Sequence, residues 1–197
     1  MRIVAIHAHP NSDSYNRALS DAYVRGARSA GAQVDELVLD ELDFDVVLHK
    51  GYSEIQPLEP DLVRAQQLIT GADHIVLSFP VWWGAAPALL KGFLDRTFLP
   101  GWAFRFREIW PLPVRLLKGR TAHVIVTMDS PKLVYAALYW GSAHRSVIAG
   151  TLAFSGIGPV STQTVSAVKY LPAWERRRQL ARSEALGRRH AHRGTHE

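Results

Sequence analysis

Three segments of the chain combine polar, aromatic and small residues in patterns that suit ligand binding. They are residues 9–16 (HPNSDSYN), 79–98 (FPVWWGAAPALLKGFLDRTF) and 127–132 (TMDSPK). Each follows or contains the end of a short apolar run, which is typical of a buried β-strand. Since the carboxyl ends of parallel strands share one edge of a sheet, we expect the three segments to form one crevice.

The first segment suits a phosphate group. It precedes a predicted helix, and the free backbone N–H groups at the start of a helix attract anions. Ser12, Ser14 and Asn16 add neutral hydrogen-bond donors, and His9 adds a donor that can become cationic. Helix capping by Ser14 or Asn16 is the simpler alternative. The segment lacks the G-x-G-x-x-G pattern of dinucleotide-binding loops.

The second segment suits a flat heterocycle. Pro80 ends a strand, Trp82 and Trp83 follow it, and Gly84 lets a ligand approach the backbone closely. Packing of both indoles into the core is the alternative interpretation. It is disfavoured because loops at the carboxyl ends of such strands face a crevice.

The third segment has the composition of a turn, in which the hydroxyl groups of Thr127 and Ser130 can bind the edge of a ring. His7 and His9 lie two residues apart on one face of the first strand. No third ligand accompanies them in the sequence, so we predict no metal site.

Apolar periodicity predicts an α/β fold in which strands and helices alternate. The predicted strands are residues 2–7, 34–40, 74–79, 121–127 and 160–168. The predicted helices are residues 16–30, 59–70, 87–98, 133–139, 143–154 and 172–186. Residues 41–58 form an irregular excursion, and residues 102–118 form an aromatic, proline-containing loop. This pattern predicts a flavodoxin-like, doubly wound, five-stranded parallel sheet of order 2-1-3-4-5 with helices on both faces.

Composition narrows the class of protein further. The chain has 197 residues, of which 47% are hydrophobic, as in one globular domain. We place the domain at residues 1–186 and a basic, disordered tail at residues 187–197. Of the net charge of +5, residues 172–197 supply most, with seven arginines and three glutamates, so we predict no nucleic-acid partner. The chain has no cysteine, which excludes disulfides and thiolate chemistry.

We find neither a signal-like start nor an uninterrupted apolar run of the length that a membrane span needs. We therefore expect a cytoplasmic protein that does not itself cross a membrane.

The chain resembles the NAD(P)H:quinone oxidoreductase family of flavodoxin-like flavoproteins. That family includes quinone reductases, modulator-of-drug-activity proteins and the ancillary flavoproteins of potassium-efflux systems. The resemblance covers residues 1–168. Three stretches carry it: HAHPNSDSYN at residues 7–16, FPVWWGAAPALLKGFLDRTFLPGWAFRF at residues 79–106, and TLAFSGIGPV at residues 151–160.

The resemblance implies a non-covalent flavin and a homodimer. It assigns the phosphate end of the flavin to His9, Ser14, Tyr15 and Asn16. It assigns the isoalloxazine ring to Pro80, Val81, Trp82, Trp83 and Gly84. In place of the Thr-Thr-Gly-Gly turn of the family, which contacts the pyrimidine edge, this chain has Thr127, Met128, Asp129 and Ser130. The tyrosine and histidine that assist hydride transfer correspond to Tyr135 and, less directly, to His144, since Gly141 holds the expected position.

We therefore expect a flavin-dependent oxidoreductase that transfers two electrons from NAD(P)H to a quinone or a related electrophile. Azo compounds, nitroaromatics or free flavin are alternative acceptors. A regulatory flavoprotein subunit that docks on a membrane transporter through residues 110–117 is a further alternative. The chain lacks the acidity and the phosphate loop of an electron-transfer flavodoxin. The short excursion at residues 41–58 offers little material to cover an adenosine, which favours FMN over FAD.

The aromatic loop at residues 102–118 supports the homodimer. It holds Trp102, Phe104, Phe106, Ile109 and Trp110 in a short span, and a monomer would leave much of this surface exposed. We expect the loop of one subunit to cover the flavin ring of the other, so that Trp102, Phe104 and Phe106 complete the aromatic wall begun by the two adjacent tryptophans.

Overall fold

The computed structural model describes residues 1–107 and 113–193, without the side chain of the last of these. Seven strands are present in these ranges: β1 (Arg2–His7), β2 (Gln33–Val38), β3 (His74–Pro80), β4 (Phe104–Arg105), β5 (Val114–Arg115), β6 (Thr121–Thr127) and β7 (Val160–Val165). The α-helices are α1 (Tyr15–Ser29), α2 (Pro60–Gly71), α3 (Ala88–Thr97), α4 (Lys132–Tyr139), α5 (Ser142–His144) and α6 (Ala173–Arg193). A π-helix, Arg145–Ala153, continues directly from α5.

Five of the strands form one parallel sheet of order β2-β1-β3-β6-β7. In chain order this is the predicted 2-1-3-4-5 arrangement, and the predicted flavodoxin-like fold is confirmed. Strands β4 and β5 form a separate antiparallel pair inside the predicted aromatic loop. Pro80 and Thr127 are paired at the carboxyl edge of the sheet, so the second and third sequence segments start side by side.

The sheet separates two hydrophobic cores, because successive side chains on a strand point to opposite faces. In β1, Val4 and Ile6 belong to the core that includes residues of α2 and α3. Ile3 and Ala5 belong to the core that includes residues of α1. Every residue of β3 is buried, as expected for a central strand covered on both faces.

Helix α1 crosses α6 at very short range through a pair of glycines. A Cβ atom at Gly26 would overlap the backbone carbonyl oxygen of Glu184, and one at Gly187 would overlap the carbonyl oxygen of Tyr23. Only glycine permits the two backbones to approach this closely. The contact holds the last helix against the first.

Helix α6 runs to Arg193, so the predicted boundary between domain and tail at residue 186 does not coincide with the end of regular structure. The reason lies in tertiary packing, since Gly187, His190 and Ala191 are buried against the body of the protein. Residues 194–197 of the predicted tail lie outside the described residues.

Two other elements differ from their predicted form. The predicted helix at residues 143–154 begins as α5 and continues as the π-helix. The last strand ends at Val165 rather than residue 168, because Ala167 adopts a left-handed conformation (φ 53°) that leads into a 3-10 turn.

The excursion between β2 and α2 is held by a buried guanidinium. Arg96 of α3 has no exposed surface, and it donates hydrogen bonds to the carbonyl oxygens of Asp45 and Pro57 and to both carboxylate oxygens of Glu59. This one side chain therefore ties three points of the excursion to α3. Among the described residues, no helix has both the length and the apolar character required to cross a bilayer.

Candidate functional site

The first segment contacts the second through His9. The ring of His9 meets the indole of Trp82 edge to face, with 5.7 Å between ring centroids. The Nδ1 atom of His9 accepts a hydrogen bond of 3.0 Å from the backbone N–H of Asn11, which orients the ring. Partial burial lowers the pKa of His9, so the neutral ring is favoured in this position.

Ser14 and Asn16 have separate roles at the start of α1. Ser14 is the N-cap, and its Oγ accepts a hydrogen bond from the N–H of Arg17. Asn16 is almost completely buried, and its Nδ2 donates to Oγ1 of Thr127 over 3.1 Å. The Oδ1 atom of Asn16 is buried without a hydrogen-bond partner. Asn16 therefore joins the first segment to the third and leaves one acceptor unused.

Tyr15 is directed towards the C-terminal helix. Its hydroxyl donates to the backbone carbonyl of Arg176 over 2.9 Å, and the guanidinium of Arg176 lies over its ring. Burial raises the pKa of the phenol. The hydroxyl is thus engaged by α6, so any contact of Tyr15 with a ligand phosphate would come from its backbone N–H.

The second segment forms a tight turn at residues 82–85, here called the Trp turn. Its two ends exchange backbone hydrogen bonds, with the N–H of Trp82 and of Ala85 each donating to the other carbonyl over 2.9 Å. Trp83 and Gly84 at its tip are both left-handed, with φ of 52° and 75°. The side chain of Trp83 is 98% exposed, so the tip presents an unobstructed indole to solvent.

The third segment is divided between the sheet edge and its neighbours. The carbonyl of Thr127 accepts a hydrogen bond of 2.8 Å from the N–H of Val81. Met128 is buried and bonded through its N–H to Val165, and the carboxylate of Asp129 accepts from the N–H of Lys169. Met128 and Asp129 therefore fix the segment to the chain that follows β7, whereas Ser130, half-buried, lies next to Asp129.

Tyr135 and His144, proposed from the resemblance as a pair, are in contact. The hydroxyl of Tyr135 accepts a hydrogen bond of 3.0 Å from the N–H of Ala143 and lies 3.2 Å from Nδ1 of His144. The other ring nitrogen of His144 is 2.9 Å from Oγ1 of Thr164. Burial, followed by the charge of Lys132, lowers the pKa of His144 and favours its neutral form.

A polar cluster joins residues of β1, α1 and β2. His7, Asp21 and Glu36 come close enough there to be considered as metal ligands. Guanidinium groups already pair with these carboxylates, Arg17 with Asp21 and Arg28 with Glu36. The hydrogen bond from His7, more than the charge of Arg28, lowers the pKa of Glu36 to about 2. We assign this cluster to ion pairing.

The expected aromatic wall does not form within one chain. The indole N–H of Trp102 donates to Oγ1 of Thr70 over 3.1 Å, at the end of α2 that precedes the start of β3. Trp102 therefore lies at the amino edge of the sheet, opposite the Trp turn. Phe104 packs on Phe154, and Phe106 is exposed. Ile109 and Trp110 lie outside the described residues, as do residues 111 and 112 of the segment 110–117.

Ser142 and Thr164 belong to this region and were not identified from the sequence. The hydroxyl of Ser142 donates to the carbonyl of Gly84 in the Trp turn, and that of Thr164 faces His144. Isolated hydroxyl residues carry no local sequence signal, and these pairs are separated by 58 and 20 positions in the chain.

Comparison with known proteins identifies the family and agrees with the fold. The family model Flavodoxin_2, described as a flavodoxin-like fold, matches residues 1–187. An uncharacterized NAD(P)H oxidoreductase of Haemophilus influenzae is 32% identical over 66% of this chain and 65% of its own length. The quinone-type NAD(P)H dehydrogenase 1 of Rattus norvegicus is 25% identical over 55% of this chain and 47% of its own length. The chain thus spans less than two thirds of these relatives.

Among solved structures, an FMN-dependent NADH-azoreductase of Bacillus anthracis in complex with FMN superposes with a TM-score of 0.78 at 18% identity. That alignment covers 96% of this chain and 99% of the azoreductase. At this identity the likeness supports the fold.

Proposed function

Since the chain belongs to the Flavodoxin_2 family of flavodoxin-like fold, we propose that it is a flavin-dependent oxidoreductase that transfers two electrons from NAD(P)H to a quinone or a related electrophile. The observation that carries this proposal is the convergence of three loops at the carboxyl edge of β1, β3 and β6, around a buried acceptor atom with no partner, Oδ1 of Asn16. The name of the rat relative supports a quinone as the acceptor.

The residues at this edge fit a flavin mononucleotide. The free N–H groups of Tyr15 and Asn16 at the start of α1 suit its phosphate, and the first turn of α1 holds no acidic residue that would repel an anion. The unused Oδ1 of Asn16 is an acceptor, so it suits a ribityl hydroxyl rather than a phosphate oxygen. This revises the contact that the sequence suggested for the Asn16 side chain.

The Trp turn supplies the surface for the flavin ring, with an exposed indole and a glycine backbone at its tip. Thr127 places a hydroxyl at the adjoining strand end. Held by these residues, a flavin would supply the chemistry of hydride acceptance and two-electron reduction. We propose the FMN form on the grounds of the short excursion and of the FMN-bound azoreductase neighbour.

In the reaction, Tyr135 and His144 would hold a proton for the second substrate. The phenol oxygen accepts from the N–H of Ala143 and, when the neutral imidazole of His144 carries its proton on Nδ1, from that nitrogen too, which leaves the phenol's own proton available as a donor. Such an oriented donor can stabilise negative charge that develops on an acceptor oxygen. We propose that the reaction takes place in the cytoplasm, where NAD(P)H is supplied.

A homodimer is part of the proposal. A groove of about 390 Å³ lies between α3 and the π-helix, and its wall includes Phe104 and Phe154, with the exposed rings of Tyr52 and Phe106 beside them. The second segment contributes only residues from Lys91 onward to its lining, and neither the Trp turn nor the first or third segment takes part. A second copy of the chain would cover these rings. It would also bring its own aromatic side chains towards the carboxyl edge of the sheet, where the three loops lie.

Titration with FMN tests the proposed function. We expect the purified protein to quench flavin fluorescence with saturation at micromolar FMN, to melt at a higher temperature when loaded, and then to oxidise NAD(P)H in the presence of a benzoquinone. Unchanged fluorescence and an unchanged melting temperature with both FMN and FAD would contradict the proposal.

Sedimentation velocity tests the dimer. We expect the wild type to sediment at twice its 22.0 kDa chain mass, and the double variant Tyr52→Ser, Phe106→Ser to sediment as a monomer. Ile55→Ser, at an exposed position of the same excursion outside the groove, serves as the control. A monomeric wild type with full quinone turnover would contradict the dimer.

A further inference from the structure

The Trp turn has a conformation that its own sequence disfavours. Two-residue turns with two left-handed residues are typically Asn-Gly or Gly-Gly, whereas here a tryptophan occupies the first position with φ of 52°. Left-handed backbone is unfavourable for a bulky residue. Since the side chain of Trp83 is almost fully exposed, it offers little packing that would stabilise this conformation. Contacts from outside the turn must therefore hold it.

Two such contacts come from the chain around the end of α4. The hydroxyl of Ser142 donates a hydrogen bond to the carbonyl oxygen of Gly84. The ring of Tyr139 lies directly against Gly84, leaving no room there for a Cβ atom. Both contacts act on the left-handed tip, one through a polar group and one through an aromatic face.

The position of Ser142 is itself defined by the backbone. It follows Trp140 and Gly141, which are both left-handed with φ of 52° and 66°, and it opens α5. The next residue, Ala143, donates its N–H to the hydroxyl of Tyr135, and His144 completes that pair. Three consecutive residues thus connect the Trp turn to the Tyr135–His144 pair.

We propose that Ser142 is a positioning residue that locks the Trp turn in its left-handed form and thereby prepares the surface for the flavin ring before the cofactor binds. This inference rests on the proposed function for its consequence, whereas the lock itself is a property of the free protein. The same hydrogen bond sets the distance between the ring surface and the Tyr135–His144 pair, because Ser142, Ala143 and His144 are contiguous.

Hydrogen exchange tests the lock without any cofactor. In Ser142→Ala, we expect the backbone amides of Trp82 and Ala85 to exchange at least tenfold faster than in the wild type, since their mutual hydrogen bonds close the turn. Ser142→Thr keeps the hydroxyl and should restore slow exchange. Ser146→Ala, an exposed serine one helical turn later, is the matched control and should leave both amides unchanged.

Flavin titration tests the consequence. We expect the dissociation constant for FMN to rise at least fivefold in Ser142→Ala, with a shift in the visible absorption bands of bound FMN, and both to return to wild-type values in Ser142→Thr. A wild type that binds no FMN would contradict the proposed function. The exchange rates would still test whether Ser142 locks the Trp turn, because they are measured without cofactor. Equal exchange rates in the wild type and Ser142→Ala would overturn the inference.

Discussion

Asn16 illustrates how a single amide can hold a site together. Its Nδ2 group reaches Thr127 across the sheet edge, and its Oδ1 atom is left buried without a partner. A buried polar atom without a hydrogen bond is unfavourable unless a ligand completes it. Helix capping, the alternative raised by the sequence, is the role of Ser14.

Replacing Asn16 should therefore affect flavin binding more than folding. In Asn16→Leu we expect FMN affinity to fall by about 1 kcal/mol or more, the typical value of one hydrogen bond. Stability should change little, because the variant also removes an unpaired buried acceptor. Ser14→Ala is the control for a pure cap and should lose about 1 kcal/mol of stability.

FMN titration together with urea unfolding of both variants makes the comparison. If Asn16→Leu binds FMN as tightly as the wild type, the amide has no part in the site.

Residue types alone pointed to Asn16 and Thr127, which lie in segments that follow or end recognisable strands, whereas Tyr135 and His144 followed only from the family resemblance. Residue types did not point to Ser142, because its role depends on the carbonyl oxygen of Gly84, which is 58 positions away in the chain. The orientation of the Tyr15 side chain could not be predicted from the sequence either, since Arg176 on the last helix sets it.

At the scale of elements, the glycine pair at the α1–α6 crossing determines how closely two helices approach. Gly187→Ala would place a methyl group into the backbone of Tyr23, which cannot yield as a side chain can. We expect a loss of about 1 to 3 kcal/mol in the free energy of unfolding, typical of overpacking.

Gly150→Ala is the matched control for this variant. That glycine is also helical, and the nearest atom to its added Cβ would be the carbonyl oxygen of Arg145 at an ordinary 3.7 Å. The control variant should be as stable as the wild type, or more stable by up to about 1 kcal/mol. Chemical denaturation of both variants measures the difference, and equal stabilities would show that the helices can separate without cost.

The buried side chain of Arg96 holds a long segment that has little regular structure of its own. Arg96→Met would leave the carboxylate of Glu59 and two carbonyl oxygens without their donor. We expect the free energy of unfolding to fall by about 3 kcal/mol. This is the lower end of the range for a broken buried ion pair, because Glu59 is partly exposed.

Trypsin should then cleave at Lys50 in the excursion faster than in the wild type. The exposed Arg105→Met is the control, and unchanged cleavage in Arg96→Met would show that other contacts hold the segment.

The strands and most helices followed from the sequence because hydrophobic periodicity and flanking glycine and proline residues are local signals. Two features did not. The π-helix at Arg145–Ala153 has the same apolar pattern as an α-helix of that length. The extension of α6 beyond residue 186 depends on the burial of His190, which sequence reading assigned to a charged tail.

At the scale of the whole molecule, three histidines from separate elements surround one tyrosine beneath α6. The hydroxyl of Tyr23 hydrogen bonds to His74 on β3 and His190 on α6, over 3.1 and 2.7 Å. His123 on β6 stacks on Tyr23 and bonds to Ser161 on β7. The cluster therefore joins α1, α6 and three strands of the sheet.

This cluster should make the fold sensitive to acid. Burial, then the positive charges of His190, Arg182 and Arg189, lower the pKa of His123 to about 3. The unfolded state, with a pKa of about 6.5, binds the proton first. The contribution of His123 is thus complete above pH 6.5 and decreases as the pH falls towards 3, by about 2 kcal/mol at pH 5.

Urea unfolding at pH 8 and pH 5 measures this change. His123→Gln, which keeps a polar group near Ser161 but does not titrate, should lose less stability between the two pH values than the wild type. The same loss in both proteins would assign the acid sensitivity to other groups.

The contact between Tyr23 and His190 joins positions 167 residues apart. At a synthesis rate of 5 to 20 residues per second, Tyr23 leaves the ribosome roughly 8 to 33 seconds before the residue that covers it. During that interval the surface of α1 around Tyr23 and Gly26, which α6 covers in the folded protein, has no partner from the chain itself. The nascent protein should therefore be a substrate for chaperones that bind apolar segments, and ribosome-bound chains that stop before α6 should be captured by them while full-length chains are released.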